Sequence, residues 1–320
     1  MSIQVSLVIP VFNEGKTIVN LIQTIKEQSL QPNEVILVDG GSTDNTVTLA
    51  KQMAKELSSL RIIEAGRAMP GKGRNIGAEN ASFNWIAFTD AGIQLDKQWL
   101  EFLVNTAKEN PEAAIIYGNY SPIIDSFFNK CAAIAYVPPQ KPNIIRGKFI
   151  ASSLLKKEVW QKTGGFPDWR AAEDLIFMRN AEEIGYNIAC TAEAMVYWQL
   201  RPSIKSTFQK FDMYSMYNVW AGEQKHWHYG VAKQYGLMFL FFLLGIFHTW
   251  FWLLLIPVWM GARVAKRILS YRFELGKKNI FNPAVFFMVL YITVVIDIAT
   301  FTGWVKAALK KPAAGIFSAQ

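Results

Sequence analysis

Three stretches carry acids where chemistry could be done: Asp39 after Val35-Ile36-Leu37-Val38, Asp90 after Trp85-Ile86-Ala87-Phe88-Thr89, and the pair Glu173-Asp174 after a Gly-Gly-Phe turn. An acid just past an apolar run too short for a helix marks the end of a strand buried on both faces. In an open α/β sheet the ligand crevice lies outside such strand ends, so Asp90 anchors the candidate site. The competing reading is a turn cap, because Asp90-Ala91-Gly92 is also good turn chemistry. Between the two strand-end acids lies Gly66–Ala78, with Gly71-Lys72-Gly73-Arg74 at its centre. Its glycines would let backbone amides approach an anion, while Lys72 and Arg74 would bring charge and a forked donor to phosphate oxygens. A helix expected from about Asn75 would add its N-terminal dipole. No Ser or Thr follows Gly71-Lys72, so this is not a Walker A loop. Glu173 and Asp174 open a helix, where carboxylates are stabilised by the dipole; that suits a plain cap and equally a general base kept ionised.

The elements that must position these acids follow from periodicity. Val5–Pro10, Glu34–Val38, Arg61–Glu64 and Trp85–Phe88 read as strands. Between them Ile18, Leu21, Ile22 and Ile25, and then Val47, Ala50 and Met53, fall at helical spacing. Strands alternating with helices imply βαβ units, an α/β fold and a mostly parallel sheet. Right-handed crossovers then bring the Asp39 and Asp90 loops to one edge. Trp99, Leu100, Leu103, Val104 and Ala107 give a further amphipathic helix, and Ala113–Tyr117 and Phe149–Leu155 further strands. The aromatic, proline-rich region Ser121–Lys148 fits an acceptor-side loop or a structural excursion. Arg201, at the end of the last strand, could pair with a pyrophosphate or with membrane phosphates, and a basic amphipathic helix follows it.

Composition sets the outer limits. The 320 residues are 51% hydrophobic and 14% aromatic, and the apolar residues crowd into the last third, which argues for a soluble domain followed by a membrane part. A formal net charge of +8 suits anionic lipid or phosphorylated substrates. No Lys/Arg-rich block is interleaved with aromatics, so nucleic acid is not an expected partner. Two cysteines, Cys131 and Cys190, imply no disulfide framework and point to a reducing compartment. The first residues run straight into a strand with no basic and apolar leader evident, so the catalytic domain is expected in the cytoplasm.

Taken together these residues resemble the family 2 glycosyltransferases, which have the GT-A nucleotide-sugar-binding, Rossmann-like fold. The resemblance runs from Val5 to Phe211 and rests on Val8-Ile9-Pro10-Val11-Phe12-Asn13-Glu14, Val38-Asp39-Gly40-Gly41-Ser42-Thr43-Asp44, Gly73-Arg74-Asn75-Ile76-Gly77, Thr89-Asp90-Ala91-Gly92, Gly164-Gly165-Phe166 and Glu173-Asp174, in the family's order and spacing. It implies that Pro10, Asn13 and Glu14 line the nucleotide pocket, that Asp39 contacts the base, usually uracil, and that Lys72 and Arg74 lie near the diphosphate. Asp90 matches the first acid of the family's Asp-x-Asp motif, which serves the ribose and a divalent metal. Asp174 matches the catalytic base, with Glu173 beside it, and Trp169 and Arg170 are expected on the acceptor side. Gly92 replaces the motif's second acid, which leaves a Mg²⁺ or Mn²⁺ site one carboxylate short, although the diphosphate can supply oxygen ligands. The implied activity is inverting transfer of a sugar from a nucleotide-sugar donor.

The expected division is a catalytic domain at 1–230 and a membrane domain at 231–320. Gln234–Ala262 carries no acid, lysine or arginine and exceeds the about 20 residues a span needs. A second segment, 279–305, includes Asp297, and an intramembrane acid is costly and often functional. Arg263, Lys266, Arg267, Arg272, Lys277 and Lys278 fill the connection. With two plain spans and a cytoplasmic catalytic domain this basic connection would lie outside, against the positive-inside rule. A re-entrant segment or an interfacial amphipathic helix resolves the conflict. The acceptor is then lipid-borne or membrane-proximal, and a homo-oligomer could supply further spans. The alternative from another class is a non-catalytic nucleotide-sugar-binding or scaffold subunit that has lost turnover with the acid at Gly92; Asp174, which pure binding would not need, argues against it.

Overall fold

Val5–Val11 (β1) is a seven-residue run whose only half-buried member is Pro10, which suits a central strand covered on both faces. It pairs in parallel with Glu34–Asp39 (β2) on one side and Trp85–Phe88 (β4) on the other, and Leu60–Glu64 (β3) adds in parallel beyond β2. The intervening helices are Ile18–Lys26 (α1), Thr46–Ala54 (α2) and Pro70–Glu79 (α3). In α1 the buried residues are the expected Ile18, Leu21, Ile22 and Ile25. These parallel strands bring Val11, Asp39 and the residues after Phe88 to one edge.

The computed structural model describes residues 3–225, 227–275 and 282–310. Its sheet has eight strands in the order β3-β2-β1-β4-β7-β6-β8-β5, with β5 at Ile93–Leu95, β6 at Ile115–Ile123, β7 at Ser153–Lys156 and β8 at Ile188–Gln199. The half beyond β4 is mixed rather than parallel: β7 runs antiparallel to both β4 and β6, and β5 antiparallel to β8, while β6 and β8 are parallel. Short β7 follows a 3₁₀ turn at Ile150–Ser152, so the run expected as one strand from Phe149 is a turn and then a strand. Trp99–Glu109 (α4), Lys157–Lys162 (α6) and Glu173–Ile184 (α7) complete the layers. The core is centred on Val8, Ile36, Phe88, Ile115, Tyr117 and Phe177.

The chain divides into two units, Met1–Ile123 with Lys141–Gln199, and Ile124–Gln140 with Leu200–Gln320. The second unit is helical. It contains Phe127–Tyr136 (α5), capped by Ser126, and Ile204–Trp220 (α8), opened by a Ser203/Ser206 capping box. His228–Phe247 (α9), Phe251–Ser270 (α10), Arg272–Leu275 (α11) and Pro283–Leu309 (α12) follow. The uncharged run 234–262 therefore forms parts of two helices, separated at His248–Trp250. Gly245 makes room for their close packing, since a Cβ there would lie 2.5 Å from Leu253 Cδ2. Helices α9 and α12 are long and apolar enough to cross a membrane by length and composition. Of the basic connection, Arg263, Lys266 and Arg267 lie on α10 and Arg272 on α11, whereas Lys277, Lys278 and the first residues of the 279–305 segment lie outside the described residues.

Candidate active site

The glycine-rich stretch is mostly helix rather than loop. Pro70 opens α3 at its first position, where a missing N–H is harmless, so Lys72 and Arg74 sit in its first turns. Its glycines face packed neighbours: a Cβ on Gly71 would stand 1.8 Å from the Pro167 carbonyl oxygen, and one on Gly77 2.2 Å from Val8 Cγ1. They allow the helix to lie close on β1 and on the Gly164-Gly165-Phe166 loop. That closeness buries Arg74.

Arg74 is the centre of the site. One terminal nitrogen donates to Asp90 Oδ1 at 2.6 Å and the other to Glu173 Oε1 at 2.7 Å, with only 3% of the arginine side chain exposed. Its guanidinium also lies 5.5 Å from the centroid of Phe166, which stacks on Phe177 at 4.1 Å. Burial opposes the Arg74 charge, but Asp90, Glu173 and Asp174 outweigh it and hold the guanidinium more firmly protonated than usual. The acids outnumber the cation. Burial pushes the Glu173 carboxyl up to about 7, with Asp174 adding to the rise and Arg74 opposing it. Asp174 is raised too, chiefly by burial, with Arg74 and the Leu175 amide pulling the other way. Two carboxylates with elevated proton affinity, adjacent in sequence, suit proton transfer near neutral pH.

Backbone strain aims this pair. Ala172, immediately before α7, adopts a left-handed φ of 62°, which costs a residue with a Cβ about 1–3 kcal/mol. Asp174 Oδ1 accepts from the Leu175 amide at 2.9 Å, and Oδ2 has no protein donor among the described residues. Glu173 Oε2 and Arg74 Nε are buried and likewise unpartnered. Asn75, which the sequence reading left without a role, fixes the loop before α7: Oδ1 accepts from the Phe166 amide at 2.8 Å and the Trp160 indole at 2.9 Å, and Nδ2 donates to the Phe166 carbonyl at 2.7 Å. A Gly-Gly-Phe turn needing an external anchor, with an Asn following Arg74, is the signal that could have suggested it.

The strand-end loops are stitched to each other. Asn13 has a left-handed φ of 54° and accepts from the Thr43 amide at 2.8 Å, while its own amide donates to Ser42 Oγ at 2.8 Å. The Glu14 amide donates to Thr46 Oγ1 at 2.8 Å. Asp39 is buried, and its carboxylate accepts from the Gly41 and Ser42 amides at 3.0 Å each. Pro10 is half-buried under α3, where a Cβ on Gly73 would meet it at 3.0 Å. Lys72 is exposed and reaches the Arg67 carbonyl at 3.5 Å. Trp169 is buried and Arg170 exposed in the loop before α7, and Arg201 belongs to the second unit.

The family model "Glycosyl transferase family 2" matches residues 6–159, a range that holds Asp39, Arg74 and Asp90 and ends before Glu173. The chain carries a family 2 glycosyltransferase domain. It is 28% identical over 225 residues to the O-antigen chain rhamnosyltransferase RfbN of Salmonella typhimurium, covering 65% of this chain and 70% of that one. To the glycosyltransferase GlyG of Streptococcus pneumoniae it is 29% identical over 121 residues, 38% of this chain and 40% of that protein's own length. Among solved structures, S. aureus TarS 1–349 in complex with UDP-GlcNAc shares the fold with a TM-score of 0.51 at 14% identity, covering 96% of this chain and 92% of that one.

A divalent cation is common in this glycosyltransferase family. Among the described residues no group of three or more His, Cys, Asp or Glu is placed to hold one. What the domain offers is Asp90, whose Oδ2 has no protein donor among the described residues, and the Glu14 carboxylate, whose oxygens lie 3.9 and 4.0 Å from where a Gly92 Cβ would stand. Two hard oxygen donors fit Mg²⁺ or Mn²⁺ shared with a diphosphate, and do not fit an ion held by protein alone.

Proposed function

We propose that the chain transfers a sugar from a nucleoside-diphosphate sugar, UDP-linked, to a lipid-borne or membrane-proximal acceptor with inversion at the anomeric carbon. The observation that carries this reading is the gathering of Asp90, Glu173 and Asp174 about one buried arginine in a chain with a family 2 glycosyltransferase domain. Asp174 takes the proton of the acceptor hydroxyl while that oxygen attacks the anomeric carbon and the bond to the nucleoside diphosphate breaks. What supports this role is an Asp174 oxygen without a protein donor among the described residues, together with the raised proton affinity of the carboxyl. Glu173 keeps Arg74 in place and shares the proton load. Asn13, Glu14, Asp39 and Lys72 serve the nucleotide, and Asp90 the ribose and metal. A divalent cation, when bound with Asp90 and Glu14 as its protein ligands, neutralises charge on the leaving diphosphate. The UDP-GlcNAc bound by TarS supports the donor class, and the O-antigen chain named for the Salmonella relative supports an acceptor in cell-surface polysaccharide assembly. Helices α9 and α12 support membrane association of the chain.

The test is turnover by the purified full chain in detergent with native lipid extract, screening nucleotide sugars with Mg²⁺ or Mn²⁺. Asp174→Asn is expected to lose about 10²–10⁴-fold in rate while still binding the donor. Undiminished turnover in that variant removes Asp174 as the base. Donor binding without turnover on any acceptor favours the scaffold reading instead.

A further inference from the structure

Helices α9 and α10 form a hairpin that turns at His248–Trp250. Gly245 lies against Leu253, where a Cβ would meet Leu253 Cδ2 at 2.5 Å, and the Phe241 and Trp252 rings stack with centroids 6.1 Å apart. Farther from the turn, Tyr235 and Arg263 meet on one carboxylate of α12, donating to Asp297 Oδ2 at 3.1 and 2.5 Å, and Arg263 gives its other terminal nitrogen to Oδ1 at 2.9 Å. Gly245 and Leu253 lie equally far on either side of Thr249, as do Tyr235 and Arg263, so the arms run antiparallel from the turn down to Asp297.

What the hairpin shows to its surroundings changes along its length. Met238 and Val264 are buried, as are His228, Val231 and Ile268 beyond them, whereas every residue across 239–263 is exposed or half-buried. The exposed ones include Phe239, Phe242, Phe247, Trp250, Phe251 and Trp259. Phe239 and Trp259 each stand about ten residues from Thr249, or about 15 Å along a helix. Half of a hydrocarbon core of about 30 Å is the same depth. Helix α9 as a whole is long enough to cross a membrane, but its first half, with His228, Val231 and Met238, is packed within the unit. In α10 the apolar part, 251–262, gives only about 18 Å of helix before Arg263, too short to cross. Charge marks the foot of the hairpin. Lys233 on α9 and Lys266 on α10 are exposed at one level, about 25 Å from the turn, within a lysine's reach of the headgroups that border an apolar layer about 15 Å deep.

We propose that the α9–α10 hairpin enters one leaflet of a lipid bilayer, turns at Thr249 near the midplane and returns to the side it came from, with Lys233 and Lys266 on anionic headgroups. Leu253, Leu254 and Leu255 are successive and all exposed, so three faces of α10 about 100° apart are uncovered. A docked protein covers one face of a helix, and hydrocarbon covers them all. A hairpin that returns also keeps Arg263, Lys266, Arg267 and Arg272 on the side from which α9 enters, which removes the conflict with the positive-inside rule that two plain spans would create. This insertion presupposes the membrane association proposed above but not catalysis, so a failure of sugar transfer leaves it intact.

The test is depth-dependent quenching in the full chain, reconstituted in vesicles of phosphatidylcholine with phosphatidylglycerol. Cys131 is buried, so Cys190→Ser leaves a background for one fluorescent label at Thr249→Cys, Leu254→Cys or Lys266→Cys, all exposed positions, with melting temperatures in detergent checked against the wild type. The Thr249 label should be quenched more by nitroxides deep on the acyl chains than by nitroxides near the headgroups. Iodide present on both sides should quench it about tenfold less than the Lys266 label, because an anion does not enter hydrocarbon. Lys233→Gln with Lys266→Gln should cut the preference for phosphatidylglycerol over pure phosphatidylcholine, read by co-flotation, by about fivefold per lysine. An unchanged preference overturns the headgroup contact. Iodide reaching the Thr249 label while lipid nitroxides quench the Leu254 label means that the turn emerges, which overturns the one-leaflet depth. Iodide reaching both of these labels overturns the insertion. A Thr249 label shielded from iodide yet untouched by lipid nitroxides assigns the hairpin to a second copy of the chain instead. A chain that does not float with vesicles removes membrane association itself, and the insertion with it.

Discussion

Arg74 in the first unit and Arg263 in the second each hold a buried carboxylate, Glu173 and Asp297, but they divide their nitrogens differently. Arg74 gives one nitrogen to Asp90 and the other to Glu173, with Asp174 adding a third negative charge to its surroundings. Arg263 gives both to Asp297. The first arrangement leaves acids that the cation cannot fully satisfy, and burial then drives up the proton affinity of Glu173 and Asp174. The second closes on itself. An over-subscribed arginine creates a proton acceptor, whereas a balanced one creates a joint between helices.

The difference can be broken at each end. Arg74→Met strands Glu173 and Asp90 and is expected to cost about 3–5 kcal/mol, read as a fall in melting temperature of the full chain. A loss below about 1 kcal/mol would show that the acids do not depend on that cation. Arg263→Met leaves only Asp297 behind, and Arg263 is 23% exposed, so about 1–3 kcal/mol is expected in the same melt.

A pH profile sharpens the contrast. Because burial raises Glu173 and Asp174, the acid limb of kcat/KM should lie above the ordinary carboxylate range. Arg74 lowers both, so Arg74→Lys, which cannot fork between two acids, should move that limb upward by about one pH unit, about 1.4 kcal/mol. The stability sign follows: native Glu173 keeps its proton up to about 7 while the unfolded residue releases it near 4.5. The unfolded state thus binds fewer protons between those values, and stability should fall as pH rises through that window. A flat melting temperature across it would contradict the assignment. The smallest effect separates the two arginines most cleanly. Replacing both members of the second pair, Arg263→Met with Asp297→Leu, should stay within about 1 kcal/mol of the wild type in the melt.

The strand-end acids were legible in the sequence because parallel strand ends follow from local pattern: Asp39 and Asp90 lie where the runs before them predict. Long-range pairing was not legible. The antiparallel insertion of β7 between β4 and β6 depends on partners far away in sequence, and nothing in Ser153–Lys156 itself states its direction. Arg74 reads as a phosphate donor when only its neighbours Lys72 and Gly73 are considered. Its partner Glu173 is 99 residues away, and the packing of Gly71 against Pro167 that buries it is equally remote. The break at His248–Trp250 has no glycine or proline to announce it, so hydropathy alone joined two helices into one run.

The distance between Arg74 and Glu173 also orders events in time. Chains are made at roughly 5–20 residues per second, so Glu173 is added about 5–20 s after Arg74. Until then a nascent first unit has a guanidinium destined for burial with one of its two acids not yet synthesised. Contacts this far apart form late and slow the search for the native state. Residues 6–159, taken as a fragment, would keep the nucleotide loops but not the acid that closes the arginine's second arm. The site is assembled by the arrival of α7 and cannot precede it.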